Sequence, residues 1–273
     1  MTVKTPSPAR SARLHYERRG EGEPLLLLHS LGGTLVQWSP VIDGLAASHD
    51  VIAVDMPGFG RSPSLPEGIQ PRAANLATAV LDFYESLGLD RKPAVAGISL
   101  GGWVAIECAR QGGARAVIAL CPAGFWKRAL DGPSQTVARL RRRGRLFRPL
   151  LRPLMYSARG RRRALGRVIH HPERLSPGEA EAIASAYVTA PAYDEANQLM
   201  RAGRIEELKG IKVPITLAWG EHDNLVRNKP LPEKALPKRV EQVELPGCGH
   251  VPTWDDPGLV TRVILAGSRR KGR

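Results

Sequence analysis

Cysteine is scarce in this chain, and its placement excludes two architectures. Cys108, Cys121 and Cys248 are spread over 273 residues. They show neither the paired spacing of a zinc site nor the even count of a disulfide framework. The expectation is a reducing, cytoplasmic setting, with no metal held by cysteines. Long apolar runs are also missing. Leu25 to Leu28 is too short for a signal-peptide core or a membrane span, so the sequence reads as a soluble chain with no membrane-crossing segment. Internal repeats and low-complexity linkers are absent, which leaves one domain with an elaboration rather than an array.

Acidic residues are depleted in one place. The chain carries 40 Lys and Arg against 26 Asp and Glu, a net charge of +14. Fourteen of those bases lie between Lys127 and Arg167, where Asp131 is the single acid. A nucleic-acid partner is a weak reading of this excess, because it is confined to one stretch and no nucleic-acid motif accompanies it. Leu140, Leu146, Phe147, Leu150, Leu151, Leu154, Met155 and Tyr156 alternate with the charges, so the stretch reads as amphipathic helices rather than a disordered tail. The triplets Arg141–Arg143 and Arg161–Arg163 cannot all face one pocket on a helix advancing about 100° per residue. They are expected on the solvated outer face, the alternative being that they line the approach to a site and attract anionic ligands.

What is present is organised around Gly97-Ile98-Ser99-Leu100-Gly101. The short apolar run from Pro93 to Ala96 predicts a buried strand, and Trp103 to Arg110 predicts a helix that stops at Gln111-Gly112-Gly113. A serine between strand and helix, flanked by glycines, is what a nucleophile elbow requires: a tight turn with the hydroxyl raised above the sheet. The 42% hydrophobic content is enough for a large core around it.

The rest of the chain alternates. A basic segment, Lys4 to Arg19, leads into a first strand around Leu14 to Glu17. Strands are predicted at Pro24–His29, Val51–Asp55, Ala116–Cys121, Pro214–Trp219 and Val240–Leu245. Helices are predicted at Trp38–Ala47, between Pro71 and Gly88, at Glu179–Thr189, at Tyr193–Arg204 and from Pro257 to about Leu265. This alternation predicts an α/β protein with a mostly parallel, doubly wound sheet. Residues 1–122 and 207–273 form its core, and residues 123–206 a helical cap insertion. Two strand ends carry chemistry: Gly220-Glu221-His222-Asp223 after one and Gly249-His250 after the next.

Taken together, five ordered pieces resemble the α/β-hydrolase superfamily, over nearly the whole chain. They are His29-Ser30-Leu31-Gly32-Gly33 with Trp38, Asp55 to Ser62, the elbow at Ser99, Trp219 to Asp223, and Gly249-His250-Val251-Pro252. The chain order Ser, Asp, His is the one this fold uses. The resemblance implies a cofactor-independent serine hydrolase of a small carboxylic ester or lactone. Ser99 would be the nucleophile, His250 the base and Asp223 its orienting acid, with backbone N–H groups of Leu31 and Leu100 meeting the oxyanion. Ser30 departs from the glycine that most relatives carry there. Glu221, Asp255 and Asp256 are competing acids. His29 and His222 read as structural or solvent-facing, and the cysteines as packing. Phe125, Trp126, Met155 and Tyr156 are candidate pocket residues. Two alternatives accompany this reading: a carbon–carbon bond hydrolase of ring-fission products, and a non-catalytic ligand-binding or scaffold member of the fold.

Overall fold

The computed structural model describes residues 13–126, 135–146, 149, 151–205, 207–226 and 236–270. Lys127, Arg128, Phe147, Arg148, Leu150 and most of the basic N-terminal segment lie outside the described residues. The strands are β1 (Tyr16–Arg19), β2 (Glu23–Leu28), β3 (His49–Val54), β4 (Ala94–Ile98), β5 (Ala116–Leu120), β6 (Ile215–Gly220) and β7 (Val240–Leu245). They form one sheet in the order β1-β3-β2-β4-β5-β6-β7. Every pairing is parallel except β1 on β3.

Helices cover both faces, which is why the central strands are apolar without alternation. Leu25 to Leu28 are all fully buried, two on each side. One face is packed by α2 (Ala73–Ser86) and α3 (Leu100–Arg110), the other by α1 (Ser39–Ala46) and α9 (Pro257–Arg269). In α2 the apolar positions recur at helical spacing, so Leu76, Val80, Phe83 and Tyr84 are buried together. Each such side chain removed from water contributes about 1.5–3 kcal/mol.

Element existence matches the sequence reading, and boundaries differ by a few residues for local reasons. Pairing of β1 begins at Tyr16 opposite Val54, although Leu14 is already buried. The elbow helix starts at Leu100, directly after Ser99, rather than at Trp103. A 3-10 turn, Leu35–Trp38, precedes α1. The α9 helix is capped by Asp256, whose carboxylate accepts the Leu259 N–H at 2.8 Å.

Between β5 and β6 the described residues hold only helices: α4 (Gln135–Leu146), α5 (Leu151–Met155), α6 (Ala158–Leu165), α7 (Pro177–Thr189) and α8 (Tyr193–Ala202), with a 3-10 turn at Pro172–Arg174. A capping box opens α7, with Ser176 and Glu179 satisfying each other's backbone N–H groups.

The expectation that the arginine triplets lie outside needs one correction. Arg142 and Arg143 are exposed, but Arg141 is only 1% exposed. Its guanidinium lies 4.0 Å from the centre of the Tyr193 ring and donates to the carbonyls of Tyr187 (3.0 Å) and Ala190 (2.8 Å). It also pairs with Asp194 at 2.5 Å. A planar guanidinium with that many acceptors can be buried where a lone charge could not. Arg161 is half-buried, donating to the carbonyls of Met155 and Glu173, while Arg162 and Arg163 face solvent.

Candidate active site

Ser99 directly follows β4 with φ 56° and ψ −113°, backbone that a non-glycine residue seldom adopts. The strain is held from both sides. Ser99 N–H donates to Leu120 O at 2.9 Å, and Ser99 O accepts from Ala123 and Trp103. The flanking glycines are required by space. A Cβ on Gly97 would lie 2.1 Å from Gly101 O, and one on Gly101 would lie 2.3 Å from Leu28 O. Leu100 begins α3, so its N–H has no intrahelical acceptor. Among the described residues, neither the Leu31 nor the Leu100 N–H donates to a backbone or side-chain acceptor.

The Leu31 loop is shaped by residues that spacing alone does not reveal. Ser30 is gripped by Gln37, whose amide oxygen accepts the Ser30 N–H and whose amide nitrogen donates to Ser30 Oγ, both at 2.9 Å. That clamp accounts for a serine where glycine is usual. His29 is structural, as expected. Its Nε2 accepts the Met56 N–H at 2.9 Å, which leaves the proton on Nδ1 to donate to Ser30 O at 2.8 Å. Burial drives its pKa down, against the opposing pull of that Ser30 carbonyl and of Asp55. Asp55 anchors the next loop, taking the N–H groups of Leu35 and Arg61 and contacting His15.

The loops after β6 and β7 bring Asp223 and His250 together, with His250 Nδ1 2.8 Å from Asp223 Oδ2. Both side chains are nearly buried. The other carboxylate oxygen of Asp223 accepts the N–H groups of Leu225 and Val226 at 2.9 and 3.0 Å. Burial alone would raise the Asp223 pKa. The hydrogen bond and charge of His250, with those two N–H groups, outweigh it and hold the pKa below its ordinary value.

The competing acids are engaged elsewhere. Glu221 accepts the Gly247 N–H, and Asp256 caps α9. Asp255 is buried and takes three backbone N–H groups: Gly249 at 2.8 Å, His171 at 2.8 Å and His170 at 3.1 Å. His222 is exposed and stacks on His170 with ring centres 3.9 Å apart.

Cys121 was expected to be packing and is more closely placed than that. It has φ 45°, lies at the end of β5, and its Sγ accepts the Gly220 N–H at 3.3 Å while donating to Gly249 O at 3.6 Å. Burial, with Asp223 nearby, pushes its thiol pKa well above the ordinary value. Cys121, Asp223 and His250 offer ligand atoms within 4.8 Å of one another, the one such trio among the described residues. Asp223 and His250 already share a hydrogen bond, while the Cys121 thiol is engaged by the Gly220 and Gly249 backbone.

The four candidate pocket residues do not form one group. Phe125 packs edge-on against Trp219, and Trp126 against Trp103 with its indole N–H donating to Gly203 O at 2.7 Å. Met155 is fully buried in the opposite apolar cluster, with Leu165 and Ile169, and Tyr156 is 63% exposed. Tyr156 follows the last residue of α5, in the turn where the chain leaves the helix. Tyr187 and Tyr193, which sequence spacing did not single out, are the side chains of the helices between β5 and β6 that lie over Gly32.

Fold and site together define a hydrolase scaffold, and comparison with known proteins agrees. The chain matches the model of the alpha/beta hydrolase family over residues 17–263. It belongs to that family. It is 31% identical over 214 residues to an epoxide hydrolase of Mycobacterium tuberculosis, covering 71% of this chain and 94% of that protein. Other likenesses are local. Identity of 35% to the dihydrolipoyllysine-residue acetyltransferase component of the acetoin cleaving system of Cupriavidus necator runs over 116 residues, which is 41% of this chain and 30% of that one. Among solved structures, the enol-lactonase of Burkholderia xenovorans superposes with a TM-score of 0.70 at 22% identity, covering 95% of this chain and 98% of its own. Among the described residues, no helix is long and apolar enough to cross a membrane.

Proposed function

We propose that the protein is a cofactor-independent serine hydrolase that cleaves a small carboxylic ester or lactone through an acyl-enzyme on Ser99. The observation that carries the reading is a serine held at φ 56° on a strand-to-helix turn, in a chain whose His250 is fixed by Asp223 at 2.8 Å. Asp223 keeps the proton of neutral His250 on Nδ1, so Nε2 is the nitrogen that takes the Ser99 proton. Ser99 Oγ attacks the carbonyl carbon, and the developing oxyanion is met by the Leu31 and Leu100 N–H groups. His250 returns the proton to the leaving alcohol, then activates water to release the acid. In this reading the helices between β5 and β6 are the cap over the site. Hydrolysis of an epoxide in this fold would call for a carboxylate nucleophile, and the elbow carries Ser99 instead.

Labelling with a fluorophosphonate tests the assignment. Stoichiometric modification at Ser99 that is lost in Ser99→Ala and His250→Ala supports a working hydrolase. Failure of the folded wild type to react would leave the non-catalytic reading in its place.

A further inference from the structure

We propose that the protein has a second binding site, at the opposite end of the sheet from Ser99, for the phosphate group of a small phosphorylated molecule held by Arg115 and Arg269. The site is a cleft of about 590 Å³ lined chiefly by Glu23, His49, Arg115, Ser268, Arg269 and Arg270. Such a volume falls within the roughly 300–1,000 Å³ of small-ligand pockets. It is formed where β2 and β3 begin and α9 ends, with Glu23 directly opposite His49 in the sheet. The Leu31 loop lies beyond the far end of β2, about 20 Å away at about 3.3 Å per residue.

Charge decides the class of ligand. Glu23 is the one carboxylate of the cleft, and it is already shared, pairing with Arg91 and lying 3.8 Å from Arg115 Nε. Arg115 Nε has no hydrogen-bond partner. Arg115 also donates to Ser268 O, which answers the negative end of α9. Arg270 is committed to the carbonyls of Ile215 and Arg239 and to Glu241. Arg269 is exposed and makes no hydrogen bond or ion pair with a described residue. The cleft therefore keeps positive charge after its own contacts are counted, which suits an oxyanion.

His49 forms the floor and reports the field. The imidazole is 3% exposed, with Nδ1 3.0 Å from Ser48 Oγ and Nε2 3.0 Å from Ser268 Oγ. Burial first, then Arg115 and Arg269, push its pKa down, and Glu23 opposes them only partly. An anion seated between those arginines must raise that pKa again.

The test follows the His49 ring by NMR, with His49→Asn to assign its signal, while inorganic phosphate and glucose 6-phosphate are added at constant ionic strength. Both should shift the signal saturably and raise its pKa, whereas chloride should not. Arg269→Gln, a surface change that leaves the fold intact, should weaken phosphate about tenfold, the loss expected for one charge-assisted contact. Arg115→Gln should do the same where circular dichroism shows it folded. A His49 signal indifferent to both phosphates, or a response unchanged in Arg269→Gln, would overturn the proposal. Binding to vesicles of phosphatidylcholine containing phosphatidic acid, without any response to the soluble phosphates, would make the site a membrane contact and overturn it equally.

Discussion

Replacing Arg141 by alanine is the sharpest test of how the helices between β5 and β6 are held together. The buried guanidinium satisfies the carbonyls of Tyr187 and Ala190, lies over Tyr193 at 4.0 Å and pairs with Asp194. Each lost carbonyl bond is worth about 1 kcal/mol net. The cation–π contact adds about 1 kcal/mol. The ion pair adds less than about 1 kcal/mol, since Asp194 is 56% exposed and can turn to water. The total is about 3 kcal/mol, and at roughly 2–4 °C per kcal/mol it lowers the melting temperature by about 6–12 °C. Arg142→Ala, one residue along and exposed, should stay within about 0.5 kcal/mol of wild type. Thermal and urea unfolding of the two variants side by side supply the comparison. Equal stability losses, or a larger loss from Arg142→Ala, would refute the role assigned to the buried guanidinium.

Ser99→Ala and His250→Ala should each remove nearly all activity on an activated ester, with the double variant little worse than either, because the three residues act as one unit. Retention of more than about a tenth of turnover by Ser99→Ala, where losses near 10⁴ are usual, would dismiss the mechanism. Asp223→Asn should lower turnover by about 10⁴-fold with the fold intact, measured by steady-state kinetics beside circular dichroism. Asp255→Asn should act first on stability, by about 1–3 kcal/mol, because an amide nitrogen would replace one oxygen facing the Gly249, His170 and His171 N–H groups. A urea midpoint equal to wild type would contradict that. Stability should also fall with acid in two windows. His29 and His49 have folded pKa values below the ordinary one, so unfolding takes up protons once pH drops below about 6.5 and stability declines there. The depressed Asp223 contributes stability that is present above about 3.9 and lost as pH falls towards its folded value. Asp223→Asn should shrink the second window, to which Glu173 beside Arg162 also contributes, and leave the first.

The sequence was most informative where chemistry or space forces a residue type. Gly97 and Gly101 have backbone oxygens where a side chain would sit, and the elbow was legible for that reason. The order of strands in the chain already puts Asp223 and His250 on the loops after two consecutive strands. What could not be read was contact between side chains distant in sequence. Nothing in a run of arginines marks Arg141 as the buried one, since its acceptors lie 46 and 49 residues away. Gln37 clamps Ser30 across a turn without leaving a periodic trace, and Asp255 looked like a spare acid until its three N–H partners were placed. Met155 and Tyr156 are adjacent in sequence yet one is buried and the other exposed, because α5 ends between them.

Asp255 also has a mechanical meaning. One carboxylate fastens the segment leading into the Pro172 turn to the loop that carries His250, joining the helices between β5 and β6 to that loop. A displacement of residues 170 and 171 would therefore pull on the His250 loop, whereas α4 to α6 have no such tie through Asp255. For exchange of these helices between relatives, a splice after residue 171 would keep the joint whole. A cut before residue 170 would hand the alignment of His250 to a foreign segment with no obligation to hold it.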